Sequence, residues 1–455
     1  MSKQQRESFT LAATGDSIIT RELLPYEGVA PEFDGLLDVL RDADATVTNL
    51  EVLLHDYEGH PAAASGGTYM RAPPSMADQL EGMGCDLFSA ATNHAYDYSH
   101  GGLEATIRAL ETRGLTYAGV GQNLYEARSP SYLETPAGRV ALLSACSTIT
   151  PGSEAGRQSE TLEGRPGLNP LHVERVYRLP ERQLDDLREL SETLGIERIK
   201  REWRERGLHI DHDWHDDGYF HFMDMKFEPC ADEGSAGIEY RVRERDEREI
   251  LEYVTAADRN ADWVVVSMHT HEGTDGRSGT QSTPSAFREF AHDCIDAGAD
   301  AFVGTGPHVL RGVELYDGKP VFHSLGNFIV QNKSVDRLPP QSFRRYGLTD
   351  HTKVADLFDA RLRDEDGSPK GDLARDEFWE TVVPVCTFSN DGDGLEVELY
   401  PCTLQQGEPR SQRGIPVLAT GSKAERVLED VAALSEPFDT EVRPDGDRAT
   451  VHPRG

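Results

Sequence analysis

The sequence contains no long apolar segment. None of its runs reaches the roughly 18 consecutive apolar residues that a membrane-spanning helix requires, and the N-terminal stretch MSKQQRESFTLAATGD has no apolar core of the kind found in signal peptides. This stretch leads directly into a predicted strand. We therefore expect a protein without a membrane span, located in the cytoplasm.

Lysine is also scarce. Only eight of the 46 basic residues are Lys, while 80 acidic residues bring the formal net charge to −34. Because salt screens the self-repulsion of such a surface, this composition predicts a halophilic protein, adapted to high salt. Nucleic acid is not expected as a partner, since its phosphate backbone would be repelled. An acidic disordered protein is the alternative, but the apolar runs described below argue against it.

Cysteine is infrequent and lacks any CxxC spacing. The six Cys residues are scattered, and Cys85, Cys146 and Cys294 lie in or beside apolar stretches. We expect these three to be buried thiols. A metal site built from Cys thiolates is therefore not expected.

Short apolar runs are present, and they alternate with helical patterns over residues 8–150 and again from residue 249. This alternation predicts βαβ units and a largely parallel sheet, that is, an α/β fold with one domain over residues 8–435. Residues 333–376 are predicted to be loop, and residues 436–455 a polar C-terminal tail.

Residues 151–250 differ in character, because they are charged and mostly without a clear pattern. We interpret them as a helical and irregular insertion that borders the functional site. The insertion contains a group of residues that can bind metal, although a solvated acidic loop is the favoured interpretation: His212, Asp213, His215, Asp216 and Asp217.

Polar side chains cluster at the C-terminal ends of the apolar runs. In layered α/β folds, ligands bind at the carboxyl ends of the strands, so these residues are expected to form one site. Carboxylate, carboxamide and imidazole groups suit a divalent ion such as Mn, Fe, Zn or Mg. The residues at these strand ends are Asp16, Asn49, Glu51, Asn93, His94, His269, His271, Glu272, His308 and Asn327.

Two of these strand ends carry paired polar groups. Asn93 offers a neutral oxygen ligand, and His94 beside it offers a proton donor for a leaving oxygen. Asp97 can orient His94, or it can cap the following turn instead. His269 and His271 share a face in extended backbone, and one ligand with one solvated His is the favoured interpretation.

A further candidate lies after the last histidine of this set. Arg311 follows His308 by three residues and can hold an anionic substrate through bidentate contacts. The glycines at 304 and 306 permit close approach of the backbone, but as a phosphate-binding loop they are weak evidence.

The ordered set of motifs resembles the CapA family of poly-gamma-glutamate capsule synthesis proteins. The matching segments are GDSIIT, TNLEV, ATNHAYDYSHGG, HTHEG, GADAFVGTGPHVLRGVELYDGKPVFHSLGNF and LATGSKAERVLEDVAALSEPF. The resemblance covers roughly residues 8–150 and 250–435. It implies a calcineurin-like metallophosphatase fold, a four-layer αββα sandwich.

The resemblance also implies roles for individual residues. Asp16, Glu51, Asn93, His269 and His308 would hold one or two divalent ions, with Glu51 bridging and His271 as a substitute for His269. His94 would be the general acid, and Arg311 or the glycine loop would steady developing charge. Apart from the resemblance, Asn49, Glu272, His323 and Asn327 are expected to line the site because they lie in or at the ends of the apolar runs.

The chain departs from the family pattern at two ligand positions. Ile18 stands where a His would follow the first Asp, and Thr305 or Gly306 stands where the last motif has a second His. We therefore expect a carboxylate-rich centre with few imidazoles, holding one ion more firmly than two.

Three functions are compatible with the sequence. The first is a metal-dependent hydrolase of phosphoester type, acting on a small molecule or polymer. The second is a non-catalytic accessory component of capsule polymer synthesis or export, with other synthesis proteins as partners. The third, an unrelated nucleotide-binding α/β protein, is disfavoured because no GxGxxG or P-loop motif follows a strand.

Overall fold

The computed structural model describes residues 8–207, 218–349, 351–389 and 394–454. The predicted acidic loop of the insertion, with His212, Asp213, His215, Asp216 and Asp217, lies outside these described residues.

The described residues form strands and helices in alternation. The strands are β1 (Ser8–Ile18), β2 (Ala45–Leu50), β3 (Leu53–Leu54), β4 (Arg71–Ala72), β5 (Leu87–Ser89), β6 (Thr116–Ala118), β7 (Val120–Gly121), β8 (Ser131–Thr135), β9 (Gly138–Cys146), β10 (Gly167–Leu168), β11 (Val173–Pro180), β12 (Phe220–Phe222), β13 (Met225–Cys230), β14 (Gly237–Val242), β15 (Trp263–His269), β16 (Ala301–Thr305), β17 (Val313–Tyr316), β18 (Lys319–Phe322), β19 (Asn327–Val330), β20 (Glu380–Ser389), β21 (Leu395–Thr403), β22 (Val417–Leu418), β23 (Thr440–Asp445) and β24 (Arg448–Pro453). The helices are α1 (Pro31–Asp42), α2 (Met76–Met83), α3 (Ser99–Glu111), α4 (Leu124–Arg128), α5 (Glu181–Thr193), α6 (Ile196–Glu205), α7 (Glu244–Asp258), α8 (Ser285–Asp296), α9 (Pro340–Arg344), α10 (Val354–Leu362) and α11 (Ser422–Ser435).

Two large sheets carry most of these strands. The larger sheet has the order β23-β24-β21-β20-β1-β2-β5-β6, with β19 also paired to β1 and β22 to β21, and the second has the order β17-β18-β16-β15-β9-β8. Strands β1, β2, β5 and β6 are mutually parallel, and so are β9, β15, β16 and β18. The predicted α/β class is confirmed, and within each parallel set the carboxyl ends lie at one edge.

The continuous apolar runs are explained by burial of both sheet faces. Successive side chains point to opposite faces of a strand. Phe9 and Leu11 of β1 share a buried cluster with Val265 of β15, so the two sheets pack on each other. Ala12, the residue after Leu11, belongs to a second cluster that includes residues of α1 and α2, and Val266, the residue after Val265, belongs to a third with residues of α7 and α8.

The insertion is more regular than predicted. Besides α5 and α6, it contains a four-stranded sheet in the order β12-β13-β11-β14. Strand β11 reads VERVYRLP, and only Val176 within it is fully buried, which explains why the strand gave a weak signal. Strand β14 packs against the turn Thr274–Gly276, which follows His271 and Glu272 in the chain.

Two other segments differ from the sequence-based predictions. Residues 436–453, expected as part of a polar tail, form a 3-10 turn and the hairpin β23–β24, which joins the larger sheet through β21. The hairpin is held because Val442, Ala449 and Val451 are buried in the main core. Residues 333–376, expected as loop, contain α9 and α10.

Two composition-based features can be compared with the structure. Cys85, Cys146 and Cys294 are buried free thiols, as predicted. Within the described ranges, none of the helices has both the length and the apolar character needed to cross a membrane.

Candidate metal centre

The strand ends of the two sheets bring most of the predicted polar residues together, although Asn327, predicted to end an apolar run, is instead the first residue of β19. Asp16 on β1 is in register with Asn49 on β2 and with Asn327 on β19. His269, the last residue of β15, is in register with Thr305, the last residue of β16. Because the two sheets pack face to face, their strand ends meet in one buried cluster.

Glu51 lies at the middle of this cluster. Its side chain is completely buried, and neither carboxylate oxygen has a hydrogen-bond partner among the described residues. Its Oε1 lies 3.9 Å from His94 Nε2, 3.9 Å from His269 Nε2 and 3.7 Å from His308 Nε2. A buried charge without a partner is costly, so this arrangement fits a cation held between the carboxylate and the imidazoles.

One possible ligand group contains Asp16, Glu51 and His308. One ligand atom from each lies within 4.8 Å of the others, and His308 Nδ1 is 3.2 Å from Asp16 Oδ2. The backbone N–H of Gly306 donates to both Asp16 oxygens at 3.1 Å, and Asn49 Nδ2 donates to Oδ1 at 2.9 Å. These donors orient the carboxylate as outer-shell groups orient metal ligands.

His308 is held in an uncommon conformation. Its φ is 61°, in the left-handed region that residues other than glycine rarely adopt. Asn327 fixes the ring and the backbone together, because its Oδ1 lies 2.9 Å from His308 Nδ1 and its Nδ2 donates to the His308 carbonyl at 3.1 Å. The two Asn327 contacts hold this conformation and keep the imidazole beside Asp16.

A second possible ligand group contains Glu51, His269 and His271. The Nε2 atoms of the two histidines are 3.2 Å apart, and Asn93 Oδ1 lies 3.1 Å from His269 Nε2. Two nitrogens on one tetrahedral ion, with bonds of about 2.0–2.1 Å, would be roughly 3.3 Å apart. The spacing therefore suits a shared ion. Both imidazoles face the cluster, whereas the sequence favoured one ligand and one solvated His.

The surroundings of the cluster favour neutral imidazoles at His269 and His271 and a protonated imidazole at His308. Burial lowers the pKa of His269 to about 3 and that of His271 well below its usual value, so both imidazoles are neutral and able to bind metal. Burial also lowers the pKa of His308, but the carboxylates of Glu51 and Asp16 outweigh it and raise the pKa to about 9. Burial, and then Asp16, raise the pKa of Glu51 well above its usual value.

His94 and Asp97 form a separate pair at the rim of the cluster. His94 Nδ1 donates to Asp97 Oδ2 at 2.6 Å, which directs Nε2 towards Glu51. The buried Asp97 also accepts from the backbone N–H groups of Met70 at 2.7 Å and Gly66 at 3.4 Å. Asp97 therefore orients His94, the first of the two alternatives that the sequence left open.

Three other predicted residues are placed differently from the ligands. Arg311 is 1% exposed and donates to the backbone carbonyls of Glu272 at 2.8 Å and Thr280 at 3.0 Å, which favours a bracing role for this loop. The Glu272 carboxylate accepts from the hydroxyls of Ser147, Thr148 and Thr270. His323 lies 3.0 Å from Glu314 and against the Phe438 ring, apart from the cluster.

Several supporting groups were not predicted from the sequence. The segment Ser65-Gly66-Gly67 covers Asn93 and His94, and a Cβ on Gly66 would lie 2.6 Å from Asn93 Nδ2. The Thr148 hydroxyl accepts from the backbone N–H of His271 at 2.8 Å. The glycine pair in ASGGTYM could have indicated this segment, since glycine permits the backbone to approach a neighbouring group closely.

Residues 10–332, well over half of the chain, match the family described as bacterial capsule synthesis protein PGA_cap. The chain belongs to this family. The predicted CapA relationship is thereby confirmed, and the strand-end residues Asp16, Glu51, Asn93, His94, His269 and His308 all lie within the matched range.

The chain is also similar to individual proteins over most of its length. The Bacillus anthracis capsule biosynthesis protein CapA is 24% identical over 374 residues, covering 81% of this chain and 70% of its own. Two proteins of Sinorhizobium fredii, y4sH and y4uA, are each 33% identical over 448 residues, covering 96% of this chain and 91% of theirs. The similarity to the Sinorhizobium proteins extends through the insertion.

Substituting Gly306 tests the hydrogen bonds that hold the Asp16 carboxylate. Gly306 has φ of 106°, and an added Cβ would lie 2.9 Å from the Thr270 backbone. We expect Gly306→Ala to displace the N–H that holds Asp16 and to weaken metal affinity about 10- to 100-fold, measured by isothermal titration with Mn²⁺. Gly318→Ala is the matched control, because Gly318 also has a positive φ but no atom within 4 Å. Equal affinities in the two variants would contradict the role of Gly306.

Proposed function

We propose that this capsule synthesis family member is a metal-dependent hydrolase of phosphoester type. The observation that carries the proposal is Glu51, a fully buried carboxylate whose oxygens have no hydrogen-bond partner among the described residues and which three imidazoles approach within 3.9 Å. Burial and Asp16 raise the pKa of this carboxyl group, and a bound cation would compensate its charge and keep it ionised.

Asp16, Glu51 and His308 would hold one divalent ion, and Glu51, His269, His271 and Asn93 would hold a second. His271 would then supply the imidazole that the last motif lacks at Thr305 or Gly306. The oxygen and nitrogen donors suit Mn, Fe, Zn or Mg. We further propose that the two packed sheets and their outer helices form the calcineurin-like four-layer sandwich.

A divalent ion in this centre would activate water and polarise an oxygen of the substrate. The protein itself supplies proton transfer. His94, whose Nδ1 is held by Asp97, would donate a proton from Nε2 to the leaving oxygen. Asn49 and the Gly306 N–H keep Asp16 from turning away.

The experiment that tests the function combines turnover with one substitution. Full-length protein is assayed against a panel of phosphomonoesters and phosphodiesters in the presence of Mn²⁺, Zn²⁺ or Mg²⁺, beside His269→Ala. We expect metal-dependent turnover in the wild type and its loss, by at least about 100-fold, in the variant. Absence of both turnover and metal would favour an accessory role in capsule polymer synthesis.

A further inference from the structure

A second pocket outside the metal centre concentrates positive charge. It is a cavity of about 170 Å³ that we call the cationic pocket, lined by the basic residues Arg21, Lys333, Arg363, Arg410 and Arg413 and by a single carboxylate, Asp359. The chain as a whole has 80 acidic and 46 basic residues, so a cavity lined by five basic residues and one carboxylate departs from its average composition.

These cations are largely unpaired. Arg363 lies 3.2 Å from the exposed Asp359, but no ion pair involves Arg21, Lys333, Arg410 or Arg413 within the part of the chain that the structure describes. The Nε atoms of Arg21 and Arg413 are buried and have no hydrogen-bond partner there. Burial, and then the guanidinium groups of Arg363 and Arg413, lower the pKa of Lys333 to about 8. Mutual repulsion of this kind is relieved by a bound anion.

The pocket is built into the fold rather than formed by free surface chains. The backbone N–H groups of Thr20 and Arg21 donate to Gln331 Oε1 at 2.9 and 2.8 Å, which ties the end of β1 to the end of β19. The Arg21 guanidinium donates to the carbonyls of Ser411 and Arg413, both at 3.2 Å. Backbone carbonyls thus position Arg21 without neutralising its charge.

The remaining lining is apolar. Phe358 and Trp379 are 4% and 5% exposed and form part of the wall with Val330 and Leu373. The volume corresponds to about six water molecules of roughly 30 Å³ each. It therefore suits two linked oxyanion groups, and a single halide would leave most of the charge unpaired.

We propose that the cationic pocket binds a small ligand with at least two linked oxyanion groups, either phosphates or carboxylates. Charge-assisted hydrogen bonds from the arginines and Lys333 recognise the oxygens, and the apolar wall contacts the linker. Binding there is independent of the proposed metal centre, so it can be measured on full-length protein in EDTA.

The test is isothermal titration in EDTA at low ionic strength with inorganic pyrophosphate and, separately, tricarballylate. We expect one site per chain, with affinity weakened about tenfold by Lys333→Gln and by Arg410→Gln. Arg182→Gln, on the exposed face of α5, removes the same charge elsewhere and should leave the affinity unchanged. Tighter binding of one probe assigns the pocket to phosphates or to carboxylates.

A measurement on the wild type guards against variants that fold poorly. At pH 8, Lys333 should react with acetic anhydride faster than the other lysines, because its pKa is about 8, and saturating pyrophosphate or tricarballylate should protect it. Failure of both probes to bind, equal affinity in the pocket variants and Arg182→Gln, or unprotected labelling of Lys333 would overturn the proposal.

Discussion

Replacing Glu51 with glutamine is expected to abolish metal binding at the proposed centre and to lower kcat/KM by more than about 100-fold. Loss of a group that only orients a ligand costs about 10- to 100-fold in affinity or activity, and Glu51 belongs to both possible ligand groups. The amide keeps the size of the side chain but loses the charge that compensates the ions. Metal content by mass spectrometry and turnover on the best phosphoester measure the effect.

In the absence of metal, the same substitution is expected to stabilise the folded protein. In EDTA, wild-type Glu51 is a buried carboxylate without a hydrogen-bond partner among the described residues. We therefore expect Glu51→Gln to raise the free energy of unfolding by about 1–3 kcal/mol in urea titrations. Glu314→Gln is the matched control, because Glu314 is also buried but bonds to Arg288 and His323, and its loss should destabilise. A destabilised Glu51→Gln in EDTA would mean that another group compensates Glu51.

Replacing His94 with glutamine is expected to lower kcat by about 10²- to 10⁴-fold while metal content stays unchanged. His94 Nε2 is 3.9 Å from Glu51, but the ring is fixed by Asp97 at the rim and belongs to neither ligand group. The loss should be smallest for substrates with a good leaving group, since these need no proton. This dependence distinguishes proton donation from a structural role.

The control for His94 is His292→Gln, which alters an imidazole that stacks on Tyr316 at 3.7 Å, away from the centre. Its turnover should match that of the wild type. If metal content fell together with activity in His94→Gln, His94 would be a ligand and the general-acid role would be wrong.

The sequence was sufficient for the parts of the fold in which a strand is buried on both faces. The runs ending at Asp16 and His269 are continuously apolar because one side of each strand faces the other sheet and the other side faces helices. From this pattern the α/β class, and the grouping of polar residues at the strand ends, follow directly.

Half-buried elements could not be predicted in the same way. Strand β11 exposes or half-exposes most of its side chains, so its pattern is dominated by charge. The β23–β24 hairpin has few buried residues, among them Val442 and Val451, and these pack only because the sheet edge at β21 is available. Such elements depend on tertiary contacts more than on local pattern.

The candidate metal ligands likewise include residues that the sequence could predict and others that depend on tertiary contacts. Asp16, Glu51 and His308 could be named from strand ends and family resemblance, and the structure brings them within reach of one another. The number of imidazole ligands stays a prediction, but the structure adds His271 to the candidates, because its Nε2 lies 3.2 Å from His269 Nε2. That orientation depends on Thr148, 123 residues away in the chain, which holds the His271 backbone.

The most direct test of the metal centre is the metal content of the full-length wild-type protein. The protein is loaded with Mn²⁺ or Zn²⁺, dialysed and analysed by inductively coupled plasma mass spectrometry beside His269→Ala. The geometry around Glu51 predicts close to two ions per chain in the wild type and at most one in the variant. A wild-type protein that retains no divalent ion under these conditions would contradict the centre and the hydrolase function proposed for it.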